Sequence, residues 1–543
     1  MLTIITKEIN IIVRNNKIGY AIMKTSKKAG TFRHNGRDKY LRFEKVRFMM
    51  TRQNQNPNNQ KRRKSKHIVT AITIEVVILL ALFGTYRWYV AMKADEALPD
   101  TKAESQQDTE DTEIIKTSPA KGADSSEGNK NSDDEDKLTP EEQEALEQQD
   151  KLSKEIKDRE AIIAQADRLA LGYEYEKAVK LLKGYVGTEG DYSRYPILTQ
   201  AIDRLEKEKS ELVLYGGSYD SITQINHIFF HSLVADPKKA FDGDAKAKGY
   251  NMYMATIKEF DQIIEKLYED GYVLVNMSDL TDKVKKDDIE SYQEAKLYLR
   301  NGKKPIVLSI DDVSYYAYMD EDGFAKRIII DENGKSACEM KAEDGTIISG
   351  AYDIVPILDE FIEAHPDFSY QGAKGLIALT GYEGILGYRT NDSKSPTYEE
   401  DKKAVKKVAE ALKAEGWEFG SHSWGHKNMQ TESLELLKRD TDRWLKEVEP
   451  LIGKTDVYVF PFGADIEHTV GPYTSDKYLY LKQQGFHVFL NVYAKPWMQI
   501  RKDYVRMGRR PIDGQAMLQY PERLMDLFNA RDVLDRDRPA QNW

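Results

Sequence analysis

The hydrophobic pattern changes character three times in the first 211 residues. Residues 68–86 are one apolar run of about 19 residues, which at roughly 1.5 Å per residue is long enough to cross a bilayer. Glu75 interrupts it, at on the order of 2.5–3.5 kcal/mol if charged at mid-span. From 91 to 150 large apolar side chains are scarce among Asp, Glu, Ser, Thr, Lys and Gln, which predicts a disordered acidic linker. Helical spacing follows over 151–211: Ile156, Ile162, Ile163 and Ala166, then Leu169, Leu171, Ala178, Leu181 and Leu182, then Leu198, Ile202 and Leu205. Past 212 the apolar runs are short and strand-like, as in Ile228-Phe229-Phe230, Pro305-Ile306-Val307-Leu308 and Phe486-His487-Val488-Phe489-Leu490. Asp320-Glu321-Asp322-Gly323 and Asp331-Glu332-Asn333-Gly334 read as turns of a hairpin elaboration over the site described below, and neither has calcium-loop spacing.

Charge gives the long run a direction. Lys61, Arg62, Arg63, Lys64 and Lys66 precede it and Asp95, Glu96 and Asp100 follow, so residues 1–66 are expected in the cytoplasm, 67–90 as a single-pass anchor in the cell membrane, and the remainder outside. Arg87-Trp88-Tyr89 leaves no small-x-small cleavage site, which favours an uncleaved anchor. Residues 1–48 are basic and patternless, and translation is expected to begin at Met49 or Met50. Leu171-Gly172-Tyr173-Glu174-Tyr175-Glu176-Lys177-Ala178 resembles one tetratricopeptide-like hairpin. A single unit builds no solenoid, so stalk, protein-partner site and cap on the domain at 212–535 stay open. A net charge of -10 gives no footprint for nucleic acid, and a single cysteine, Cys338, forms no internal disulfide.

The chemistry concentrates in two segments. Ser309-Ile310-Asp311-Asp312 ends an apolar strand, where α/β enzymes place catalytic side chains. Consecutive strand residues point to opposite sides, which implies a division of labour: one carboxylate for a cation, the other to take a proton from water. Ser421-His422-Ser423-Trp424-Gly425-His426 follows a short aromatic-rich strand, and its two imidazoles share a face if a helical turn begins at His422. Adjacent aspartates are common on solvated faces, and His-x3-His without the zinc-protease Glu is only suggestive. Together they offer the oxygen and nitrogen donors of a hydrolytic divalent-metal site.

These segments resemble the polysaccharide deacetylases with a NodB-type domain. The first matches their Thr-Phe-Asp-Asp motif, the second their His-Ser/Thr-x-x-His motif, and Phe460-Pro461-Phe462-Gly463 their aromatic-Pro-Tyr-Gly turn. The resemblance covers about residues 212 to 520 and implies a distorted α/β barrel. It further implies Asp312, His422 and His426 as metal ligands, Asp311 as general base, and one divalent ion, zinc first, with cobalt, manganese or nickel as alternatives. A backbone N–H of the turn Pro461, Phe462, Gly463 is the expected oxyanion donor. The implied reaction yields acetate and a free amine on an N-acetylated glycan; the exported location suggests peptidoglycan.

Two departures stand out. No histidine follows His487, whereas the family's terminal motif supplies the acid for the leaving amine; His231 and His487 are the candidates. The third motif lacks the arginine that orients the base, and Arg509 and Arg510 in Val505-Arg506-Met507-Gly508-Arg509-Arg510-Pro511 are the candidates to replace it. These gaps keep two alternatives open: a glycan-binding pseudoenzyme, and an amidase for small amides on the same barrel.

Overall fold

The computed structural model describes residues 139–216, 222–286, 289–467 and 471–539, all within the unit Ser132–Trp543. The expected tail, anchor and most of the linker lie outside the described residues, and no helix of the described residues is long and apolar enough to cross a membrane.

Three helices open the described chain, where the sequence suggested a hairpin: α1 (Pro140–Leu171), α2 (Tyr175–Lys183) and α3 (Pro196–Ser210). The first begins at Pro140, inside the stretch expected to be linker. The cause is local: Thr139 Oγ1 accepts the Glu142 N–H, Glu142 accepts the Thr139 N–H, and Pro140 occupies the first helical position.

The strands of the main sheet are β1 (Asn226–Phe230), β2 (Tyr272–Leu274), β3 (Lys304–Asp311), β4 (Gly375–Leu379), β5 (Trp417–Ser421), β6 (Val457–Val459), β7 (Val488–Val492), β8 (Trp497–Ile500) and β9 (Val505–Pro511). Seven of them close a parallel ring in the order β1-β3-β4-β5-β6-β7-β9, with β9 returning to β1 through Arg510↔Ile228. The distortion has two seams. One edge of β3 pairs with β2 at Lys304–Ile306 and with β4 at Ser309–Asp311; one edge of β9 pairs with antiparallel β8 at Val505–Gly508 and with β1 at Arg510–Pro511.

The period of two sorts the strand residues. Val307, Leu376, Ala378, Val457, Val459, Val488, Leu490, Val505 and Met507 pack together inside the ring, while Ile228, Leu308, Ile310, Ile377, Phe419, Tyr458 and Phe489 pack outward under the helices. Along the inward positions of β3 and β9 the apolar residues come first and the polar ones last: Val307, Ser309, Asp311, and Val505, Met507, Arg509. The interior is therefore a greasy floor with a polar upper layer at the C-terminal mouth.

The helical unit covers the opposite mouth. Tyr173, in the α1–α2 turn, is buried with the interior residues, lies 5.3 Å from Tyr370, and carries the Arg300 guanidinium 4.3 Å over its ring. Arg300 also donates to the Leu171 and Ala170 carbonyls at the end of α1, at 2.9 and 2.6 Å. Of the three open roles, these contacts fit a cap: Tyr173 is spent against the domain, while Leu171 beside it stays 47% exposed.

The hairpin elaboration is a three-stranded antiparallel sheet, Ala325–Ile330, Ser336–Lys341 and Ile347–Gly350. It packs on the helices Ile354–Ala364 and Tyr398–Ala414 rather than over the site. Asp331 Oδ1 accepts the N–H groups of Asn333 and Lys335, turn chemistry as the sequence suggested.

On β5, Glu418 Oε2 accepts the Met277 N–H at 3.1 Å. Burial, and after it the Asp279 carboxyl, push Glu418 up to about 7 against the hydrogen bonds from Ser278 and Met277. An unfolded Glu titrates near ~4.3, so unfolding releases a proton between the two values and stability falls as pH rises through that window. Glu418→Gln should stabilise the protein at pH 8, by on the order of 1 kcal/mol, and give no gain near pH 4. Thermal melts at both pH values check this; equal shifts at both would refute the buried-carboxyl origin.

Candidate active site

β3 delivers Asp311 inward at the C-terminal mouth, where it is buried. Arg509, inward on β9, grips it bidentately: Nη1 donates to Oδ1 at 2.6 Å and Nη2 to Oδ2 at 2.9 Å. Burial acts to raise the Asp311 pKa, but the guanidinium outweighs it and holds the carboxyl well below the usual carboxylate range. Arg510, one residue on, points outward and pairs with Asp526 at 2.7 Å and Asn226 at 2.6 Å, so it has no part in orienting Asp311. Strand alternation decides between the two arginines.

Asp312 breaks the alternation expected of adjacent strand residues. It adopts φ +68, a left-handed conformation that Asp tolerates, and the chain turns so that both carboxylates face the same mouth. His422 Nε2 and His426 Nε2 lie 4.0 and 3.8 Å from Asp312 Oδ1. The two histidines meet without a helix: Ser423 and His426 are left-handed, at φ +58 and +48. Of the eight non-glycine residues with positive φ among the described residues, Asp312, Ser423, His426 and Phe462 lie in the three motif segments and Tyr315 three residues past the first, the clustering of backbone strain typical of functional sites.

The donor set fits a divalent ion. The three ligand atoms lie within 4.8 Å of one another, and Asp312 Oδ1 is buried with no hydrogen-bond partner among the described residues. His422 Nδ1 lies 2.9 Å from the Val459 carbonyl, which can only accept; the ring proton is on Nδ1 and the Nε2 lone pair is free for the ion. Burial pulls His422 down to about 4, against the pull of Asp311 and Asp312, so it is neutral near pH 7.

The third segment forms the turn Pro461–Gly463 after β6. Gly463 has φ +64, and a Cβ there would stand 2.4 Å from Val492 Cβ, so only glycine fits. Its N–H is spent on the Phe460 carbonyl. Phe462 is 67% exposed, with its ring centroid 4.5 Å from that of His426.

The two candidate acids separate by strand direction. His487 precedes β7, at the mouth opposite the carboxylates, with Nδ1 3.1 Å from the Asp503 carbonyl; it is excluded as the acid. His231 follows β1 at the site's own mouth, with Nδ1 3.1 Å from the Tyr253 carbonyl, and it acts electrostatically on both Asp311 and the buried Asp513.

Residues 389–489, which hold both histidines and the Pro461–Gly463 turn, match the family model for polysaccharide deacetylase. Over this stretch the sequence is that of a polysaccharide deacetylase domain. No curated protein matches the chain. Solved structures similar to it include the Streptococcus pyogenes deacetylase PplD in complex with acetate, at 14% identity and TM-score 0.30, covering 56% of this chain and 98% of that one. A de-N-acetylase from Aggregatibacter actinomycetemcomitans is similar at 15% identity and TM-score 0.32, covering 56% and 100%.

One supporting residue of the deacetylase domain has no local sequence signal. Asp440, inside the helix Leu434–Glu447, accepts the N–H groups of Trp424 and Gly425 at 2.7 and 2.8 Å and so clamps the left-handed loop between His422 and His426. Its partners are 15 and 16 residues away, beyond any helical spacing. Asp440→Asn, with one acceptor fewer, should weaken any binding of a divalent ion by Asp312, His422 and His426 roughly 10–100-fold, as loss of a ligand-orienting contact does. Competition with a chromophoric chelator measures this; unchanged affinity would deny the clamp its role.

Proposed function

We propose that this protein is a metal-dependent N-deacetylase of an acetylated surface glycan, with peptidoglycan as the first candidate. The observation that carries the reading is the separation of two adjacent carboxylates into different roles: Asp311 gripped by Arg509, and Asp312 left unpartnered beside two imidazoles. Asp312, His422 and His426 would hold zinc, or cobalt, manganese or nickel in its place. When bound, such an ion lowers the pKa of water and polarises a carbonyl.

Asp311, kept ionised by Arg509, takes the proton of the attacking water. The water oxygen bonds to the acetamide carbon, and the Phe462 N–H, which the turn's own bonds leave unspent, donates to the developing oxyanion. His231 donates a proton to the nitrogen as the C–N bond breaks, releasing acetate and a sugar amine. In this reading Arg509 and His231 would fill the two gaps that favoured a pseudoenzyme. Polymer binding is supported by aromatic surface at the rim: Tyr318 is 54% exposed and stacks on Tyr316 at 5.3 Å, which stacks on Tyr382 at 5.5 Å. The apolar run 68–86 and its flanking charges support a membrane anchor with this domain outside the cell.

The test is acetate release by the full chain in detergent from N-acetylglucosamine oligomers and from peptidoglycan, with chelator and with added zinc or cobalt. Release that chelator removes and metal restores supports the reading. Binding of zinc and glycan without release overturns it in favour of a binding protein.

A further inference from the structure

Beneath the carboxylates runs a polar chain that the proposed reaction leaves unused. His227, inward on β1, and Ser309, inward on β3, are both 0% exposed, and His227 Nε2 lies 2.9 Å from Ser309 Oγ. Arg509 Nη1 donates to Ser309 Oγ at 3.1 Å as well as to Asp311. Arg509 Nε and His227 Nδ1 are buried with no hydrogen-bond partner among the described residues. The Phe229 ring, 4.3 Å from the guanidinium carbon, supplies a face and no hydrogen-bond acceptor.

The proton directions follow from chemistry. A guanidinium only donates, so Ser309 Oγ accepts from Arg509. If the Ser309 proton goes to His227 Nε2, a single buried group, the Nδ1–H, is left unmet. If His227 donates instead, both the serine proton and Nδ1 are left unmet, which costs more. The chain therefore runs Arg509 to Ser309 to His227, with a neutral imidazole protonated on Nδ1. Burial, and then the neighbouring Arg509 charge, push His227 well below its usual value, in the same sense.

We infer that Ser309 and His227 are positioning residues for the Arg509–Asp311 pair: the imidazole turns the serine lone pair toward Arg509, and the serine is the third point that fixes the fork. With Nε unmet, the guanidinium has only Asp311 itself as an alternative anchor, and without Ser309 the two charged groups can slide together. This inference rests on Asp311 acting as the base.

The test uses the zinc-loaded full chain. Ser309→Ala and His227→Phe should each lower kcat roughly 10–100-fold, with KM and zinc affinity unchanged. Ser309→Thr, which keeps the hydroxyl, should restore kcat to within a fewfold of wild type, a rescue that loss of packing alone does not predict. Wild-type kcat in either of the first two variants would overturn the inference while leaving the deacetylase reading intact. Imidazole 15N shifts of the wild-type chain decide independently of turnover and of variant folding. A neutral Nδ1–H tautomer of His227 is expected, and an Nε2–H or charged ring would overturn the inference even if no acetate is ever released.

Discussion

Asp311→Asn should lower kcat for acetate release by about 10³-fold, within the range that positioned proton transfer contributes, while the zinc content stays at one per chain. The amide keeps the shape and accepts one hydrogen bond from Arg509, but it has no lone pair basic enough to take the water's proton. Zinc retention is expected because Asp311 is not one of the three ligand residues and His422 is oriented by the Val459 carbonyl. The substitution also leaves the buried Arg509 charge unbalanced, so a lower melting temperature accompanies the loss of rate. Kinetics on the folded, zinc-replete fraction separate the two effects. A variant with more than a tenth of wild-type kcat would remove Asp311 from the role of base and, with it, the reason for the Arg509 fork.

The residue types of the site were legible in the sequence because Asp311 and His422 each follow a short apolar, strand-like run. Their relative geometry was less so. Strand alternation predicts that Asp311 and Asp312 face apart, and helical spacing is the simplest way to bring His422 and His426 together. Both rules are overridden by left-handed backbone at Asp312, Ser423 and His426, a conformation that Asp and His adopt more readily than most residues but that their presence alone does not predict. The choice between Arg509 and Arg510 was within reach: Val505 and Met507 share parity with Arg509, so the apolar residues of β9 already point to the inward arginine. Strand direction likewise separates His231 from His487, since one follows its strand and the other precedes it. The start of α1 was legible too, through Thr139-Pro140-Glu141-Glu142, a capping signature masked by the acidic composition around it. Asp440 and the cap formed by Tyr173 and Arg300 were out of reach, because both depend on tertiary contacts between distant segments.

The family's base-orienting arginine is absent from its usual turn, and the replacement on β9 changes what substitution should do. Arg509→Lys preserves the positive charge but not the planar fork, so one ammonium must serve the oxygens of Asp311 and Ser309 together. Asp311 stays ionised and mobile, and kcat should fall roughly 10–100-fold with little change in its pH dependence. Arg509→Met removes the charge as well. Burial then acts on Asp311 without its main counterweight, which raises its pKa from that of the wild type, so activity should fall further at pH 6 and recover as pH rises and the carboxyl ionises. Breaking a buried pair from one side typically costs about 3–5 kcal/mol, and the methionine variant should show it as a lowered denaturation midpoint, less severe in acid where Asp311 can be protonated. A lysine variant with wild-type kcat would mean that charge alone suffices and the fork is incidental. A methionine variant whose rate falls equally at all pH values would mean that Arg509 acts on something other than the ionisation of Asp311.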